Sequence, residues 1–79
     1  MWSVYIIRRQ IAPEERYIGL TNDLKARLAK HNSGGSPYTS RYRPWKPETA
    51  MAFNDKEKAA AFERYLKTGS GFTFAKRHF

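Results

Sequence analysis

Seventy-nine residues without a cysteine make one small domain, which neither disulfides nor a thiolate metal site can reinforce. The longest apolar run near the N-terminus, Val4-Tyr5-Ile6-Ile7, stops at Arg8-Arg9; it is too short for a signal peptide or a bilayer span, so a soluble, unprocessed chain in a reducing cytoplasm is expected. Fifteen Lys and Arg against seven Asp and Glu, a formal charge of +8, point to a polyanionic partner, and nucleic acid is favoured over a membrane because neither helical segment joins a cationic face to a broad apolar one.

Trp2 to Arg9 is rich in β-branched and aromatic residues and predicts a strand. Ile11 to Glu15 carries a proline and charges and reads as a turn, after which Arg16 to Thr21 forms a second strand in a hairpin with the first. If opposed residues of this hairpin have an even sum, Tyr5 and Tyr17 share one face and Val4, Ile6, Ile18 and Leu20 the other. Thr21 or Asn22 then caps a helix, with Asp23 in its first turn; it runs to about His31 and is stopped by Asn32-Ser33-Gly34-Gly35. Ser36 to Pro47 is a long loop with three prolines, and Thr49 to Asn54 is a third strand. Asn54 or Asp55 caps a second helix with the stripe Ala59, Phe62 and Leu66; Gly69-Ser70-Gly71 ends it, and Phe72 to Phe79 forms a last short helix. The order β-β-α-β-α-α is an α+β fold, a small three-stranded, mainly antiparallel sheet flanked by helices.

Several polar residues sit where apolar ones are expected. On the first helix Leu24 and Leu28 centre one face, and Arg27 and His31 flank it as i, i+4 neighbours. On the second helix Glu63 lies beside the apolar stripe, where a carboxylate needs a partner such as Arg27 or Lys67, or a cation such as Mg²⁺. Tyr17 precedes Gly19 on the same face, and a missing side chain there allows close approach to the backbone. Tyrosines, an arginine, a histidine and one acid on a basic fold suit phosphodiester hydrolysis. The acid holds a metal, the arginine stabilises developing charge, and a tyrosine or histidine handles the water.

Ser3-Val4-Tyr5, Tyr17-Ile18-Gly19 a dozen residues later, Arg27, His31-Asn32 and a lone downstream Glu63 followed by Tyr65-Leu66-Lys67 and Ser70-Gly71 resemble the GIY-YIG nuclease domain over nearly the whole chain. The likeness is to small stand-alone members akin to the N-terminal nuclease domain found in excinucleases. The first motif departs from the family pattern, reading Ser-Val-Tyr where the family has Gly-Ile-Tyr. The resemblance implies that Tyr17 is the general base or orients the attacking water, with Tyr5 supporting it. It implies further that Arg27 contacts the scissile phosphate, His31 assists proton transfer or binds phosphate, and Glu63 binds a single Mg²⁺ or Mn²⁺. A tyrosine base has to overcome an ordinary pKa of about 10, and Arg27 and the metal favour its anion.

Arg41, Arg43 and Lys46 interleave with Tyr38, Tyr42 and Trp45 in the loop, which suits either phosphate contacts with base stacking or aromatics packed beneath solvated charges. With Lys67 these cations are the candidate substrate-binding residues, and Lys76-Arg77-His78 add a basic tail. The function implied is metal-dependent endonuclease activity, on DNA selected by its structure through shape, a protein partner or self-association. The alternatives are a basic nucleic-acid-binding module without catalysis and a subunit that docks on an acidic protein partner.

Overall fold

The computed structural model describes residues 1–35 and 39–79, with residues 40 and 41 as backbone only. The chain runs β1 (Trp2–Arg9), β2 (Ala12–Thr21), α1 (Leu24–Ser33), a short 3-10 turn (Thr39–Tyr42), β3 (Trp45–Phe53), α2 (Lys56–Leu66) and α3 (Gly69–His78), which is the expected α+β order. The three strands form an antiparallel sheet in the order β2-β1-β3. Central β1 is covered on both faces, and Val4 to Ile7 are each no more than 2% exposed. A strand buried on both sides must be apolar throughout, which explains the unbroken run that ends at the two arginines.

The hairpin register is the even one. Ser3 opposes Thr21, Tyr5 opposes Gly19 and Ile6 opposes Ile18, until a bulge between Arg8 and Arg9 shifts the ladder next to the turn. Alternation then divides the core in two. Val4, Ile6 and Ile18 face Ala59 and Leu66 of α2 and Ala75 of α3, with Phe62 and Phe74 packed around them. Tyr5 and Ile7 face the other way, toward Leu24 and Leu28 of α1 and Trp45 of β3. The sheet is thus a middle layer between α1 and the α2–α3 pair.

Several boundaries differ from expectation. β2 begins at Ala12 rather than Arg16, and β3 at Trp45 rather than Thr49; both are edge strands, which tolerate Pro13 and Pro47 because an outward-facing N–H is not needed. Asp23 caps α1 instead of Thr21 or Asn22. Its carboxylate accepts from the Ala26 N–H, while Thr21 Oγ1 accepts from the Asp23 N–H. Gly34, at φ 85°, closes α1 in the left-handed region, beyond Asn32 and Ser33.

Gly69-Ser70-Gly71 opens α3 rather than merely ending α2. The α2 cap is Lys67, and Thr68 Oγ1 accepts from the Gly71 N–H to start α3. Gly71 is needed here because a Cβ on it would run into the Tyr65 carbonyl oxygen and stand 2.6 Å from Leu66 Cα. We expect Gly71→Ala to cost roughly 2 kcal/mol, within the range for overpacked backbone, read as a lower urea midpoint. Gly69→Ala meets nothing within 4 Å and should leave the midpoint unchanged or raise it slightly.

Candidate active site

The site begins with the pairing of Tyr5 and Gly19. A Cβ on Gly19 would stand 2.7 Å from Tyr5 Cε1 and nearer still to the hydroxyl, so the ring occupies the space a side chain would fill. The phenol is 1% exposed, and burial pushes its pKa above the ordinary tyrosine value. The Arg27 guanidinium beside the hydroxyl pulls the other way, while coupling to the neighbouring acidic groups of Tyr17 and Glu63 adds to the rise. Side chains from β2, α1 and α2 therefore all act on one oxygen of β1.

His31 is the one buried residue of α1, at 1% exposure. Its Nε2 lies 2.7 Å from Tyr5 Oη and its Nδ1 2.6 Å from Thr39 Oγ1. Burial first, then the positive charges of Arg27 and Lys30, lower its pKa, so the imidazole is held neutral with one donor and one acceptor nitrogen. Arg27 has only protons to offer the phenol oxygen. One ring nitrogen donates to a hydroxyl and the other accepts from one, so Tyr5, His31 and Thr39 form a single hydrogen-bonded chain. Both nitrogens are thus engaged by hydroxyl groups beneath the surface.

Thr39 was not foreseen from the sequence. It is wholly buried, and its carbonyl accepts from Trp45 Nε1 at 2.9 Å. Trp45 is tied to α1 in turn, because Asn32 Oδ1 accepts from its N–H at 2.6 Å and Asn32 Nδ2 donates to its carbonyl at 3.1 Å. A threonine in a proline-rich loop carries no local signal of such a contact. The nearest clue was a histidine on an apolar face, which needs polar partners from somewhere.

Tyr17 stands in front of this buried chain. It is half-buried, its ring centroid lies 5.1 Å from that of His31 and 6.4 Å from that of Tyr5, and it lines an open depression of about 350 Å³ with Arg16, Ile18 and Lys67. Glu63, with its side chain 20% exposed, accepts from Lys67 Nζ at 3.3 Å, one of the two partners expected for it. Among the described residues no three His, Asp or Glu side chains group as metal ligands do. One carboxylate paired with a lysine that lines the open depression nevertheless fits Mg²⁺, which keeps most of its waters and takes further oxygens from phosphate. Lys67 is an exposed partner that such an ion can replace.

The remaining basic candidates are spread out. Lys67 is at the depression, whereas Arg43 lies over the Gly34 cap and Lys46 opposes Arg8 across the sheet. The Arg41 side chain and Tyr38 lie outside the described residues. Trp45 is 5% exposed and Tyr42 half-buried beneath the Arg9 guanidinium, so these two aromatics pack under the loop instead of presenting faces to bases.

A model of the GIY-YIG catalytic domain matches residues 1–76. The chain belongs to the GIY-YIG family. It is therefore a member of a family of nucleases, whose implied substrate is nucleic acid. Similar curated GIY-YIG relatives are called UPF0213 proteins. One from Streptococcus pneumoniae serotype 4 is 48% identical over 52 residues, 65% of this chain and 52% of its own length. One from Lactococcus lactis subsp. cremoris is 41% identical over 59 residues, 73% and 60% of the two lengths. One from Vibrio campbellii is 36% identical over 67 residues, 84% and 62%. The chain thus spans about half the length of the first of these relatives. No solved structure matches it. Among the described residues no helix of this GIY-YIG chain is long and apolar enough to cross a membrane.

Thr39→Val removes the hydroxyl that pairs with His31 Nδ1 while keeping the shape of the side chain, and should destabilise the fold by about 1–3 kcal/mol, with Thr39→Ser largely restoring it. The same network predicts a pH dependence. The folded-state pKa of His31 is depressed, so the unfolded chain binds its proton first; stability is full above the ordinary value of about 6.5 and declines as pH falls below it. Urea titrations between pH 5 and 8 should show that loss, and His31→Gln should flatten it.

Proposed function

We propose that this chain is an endonuclease hydrolysing phosphodiester bonds in nucleic acid, with one Mg²⁺ or Mn²⁺ held by Glu63 and with DNA of selected structure as substrate. The observation that carries the reading is the layering of the site. Tyr17 borders an open depression, and the buried chain Tyr5–His31–Thr39 lies directly behind it. In this reading the Tyr17 hydroxyl orients the attacking water. Arg27 compensates the negative charge that grows on the phosphate. Tyr5 and His31 keep one defined hydrogen-bond polarity at the base of the site, so the groups in front need little reorganisation during reaction. When bound, the metal ion supplies Lewis-acid stabilisation of a phosphate oxygen. Lys67, whose pairing with Glu63 is exposed and weak, would lie where a neighbouring phosphate could engage it. Substrate choice then rests on shape, on a protein partner or on self-association.

One observation favours a second reading, a binding module without catalysis: Glu63 already has a cationic partner in Lys67. A cleavage assay separates the two. Labelled single-stranded, duplex, flapped and branched DNA, with RNA beside them, are incubated with Mg²⁺, Mn²⁺ or EDTA. Cutting is expected in metal alone. Arg27→Ala and Glu63→Ala, checked for folding, should each lower it by about a hundredfold or more, and Tyr17→Phe by roughly 10²–10⁴. Binding that falls with salt, without any cutting, would establish the binding module instead.

A further inference from the structure

Arg16 is a half-buried guanidinium with no carboxylate of its own. Among the described residues it makes no ion pair or hydrogen bond. Its one close partner is the Phe72 ring, 4.4 Å from Cζ to the centroid. The sheet places it in unfavourable company, for Arg16 opposes Arg8 and Arg8 opposes Lys46, a row of three cations across three strands. Like charges set opposite one another are destabilising. Glu48 relieves Arg8, with which it makes a two-point ion pair, but leaves Arg16 unpaired. Partial burial, the charge of Arg8 and the weaker opposing pull of Glu48 together lower the Arg16 pKa, so its cationic form is held at a cost that an anion would remove.

The position of this cation is informative. Arg16 shares the depression with Tyr17 and Lys67, and it shares a second cavity with Phe72, Lys76 and the exposed Glu14. Phe72 is 50% exposed, unusual for a phenylalanine on a chain whose other aromatic residues mostly pack. The Arg16 guanidinium thus links the depression beside Tyr17 to a half-exposed aromatic ring that shares its second cavity with a lysine. An aromatic platform next to a backbone-tracking cation is the arrangement by which unpaired bases are held without sequence preference.

We propose that Arg16, with Lys67, holds the phosphate next to the one being cut, and that Phe72 is the platform for an unpaired base beside it. The substrate then carries a single-stranded segment at the cut. This rests on the nucleic-acid reading above and specifies the substrate class.

The test is fluorescence anisotropy of the full chain in EDTA, with a blunt duplex, the same duplex bearing a single-stranded extension, and the single strand. Phe72→Ala should weaken binding to the extension and the single strand by about fivefold or more, as loss of one stacked base does, and change the blunt duplex by less than about twofold. Phe72→Tyr should retain the stacking and bind as the unaltered chain does. Arg16→Ala should weaken all three and reduce the slope of log affinity against log salt by about one. Equal loss on every nucleic acid for Phe72→Ala, or an unchanged salt slope for Arg16→Ala, overturns the proposal while leaving the nuclease reading intact. A Phe72→Ala change in sedimentation mass with unaltered binding also overturns it, since the patch is then a contact between copies. Failure of the unaltered chain to bind any of the three removes the nucleic-acid reading and this proposal together.

Discussion

The pairing of Tyr5 with Gly19 across the β1–β2 ladder is the constraint on which the site depends. The buried Tyr5 ring occupies the space that a side chain on its cross-strand neighbour Gly19 would fill. With the ring laid across that space, the hydroxyl ends where His31 of α1 can meet it at 2.7 Å. The even sum of the register that pairs these two residues also brings Tyr17 to the same face and sends Ile18 to the other. A slip of one residue would send Tyr17 to the α2–α3 layer and destroy both the site and the core.

The sheet also explains how so small a chain gathers charged groups from opposite layers. β2 is an edge strand, so little separates the two faces there. Arg27 comes from the α1 side and Glu63 from the α2 side, and both act on the Tyr5 hydroxyl. A wider sheet would have held them apart. The depression at this edge is bordered by Tyr17 from one face and by Arg16 and Ile18 from the other.

How much of this was legible in the sequence follows from the range of each interaction. Element order and helix stripes depend on periodicity over a few residues, and Ala59, Phe62 and Leu66 pack where their spacing puts them. Strand ends were less legible because Pro13 and Pro47 are breakers in isolation, and only their place on edge strands makes them acceptable. The oddity of His31 on an apolar face could be seen at once, but its resolution needed Thr39, eight residues away across a loop, and Tyr5 on another strand. Gly71 read as a stop signal because glycine has that meaning locally; its actual role is set by the Tyr65 carbonyl packed against it. Arg16 is inconspicuous as one more cation in a basic chain, since what distinguishes it among the described residues is that none of the nearby acids pairs with it.

The two helical layers are attached to the sheet by different kinds of force. α2 and α3 are held by apolar area, which tolerates small displacements because its energy varies slowly with position. α1 buries one residue, and that residue is a histidine fixed at both nitrogens, seconded by the two bonds between Asn32 and Trp45. Hydrogen bonds are directional and weaken steeply once the donor angle falls below about 120°. The helix that carries Arg27 is therefore seated by geometry more than by adhesion. Such a seat contributes little to overall stability and much to accuracy, and it lets a domain of this size keep a charged side chain in register with a strand across the sheet.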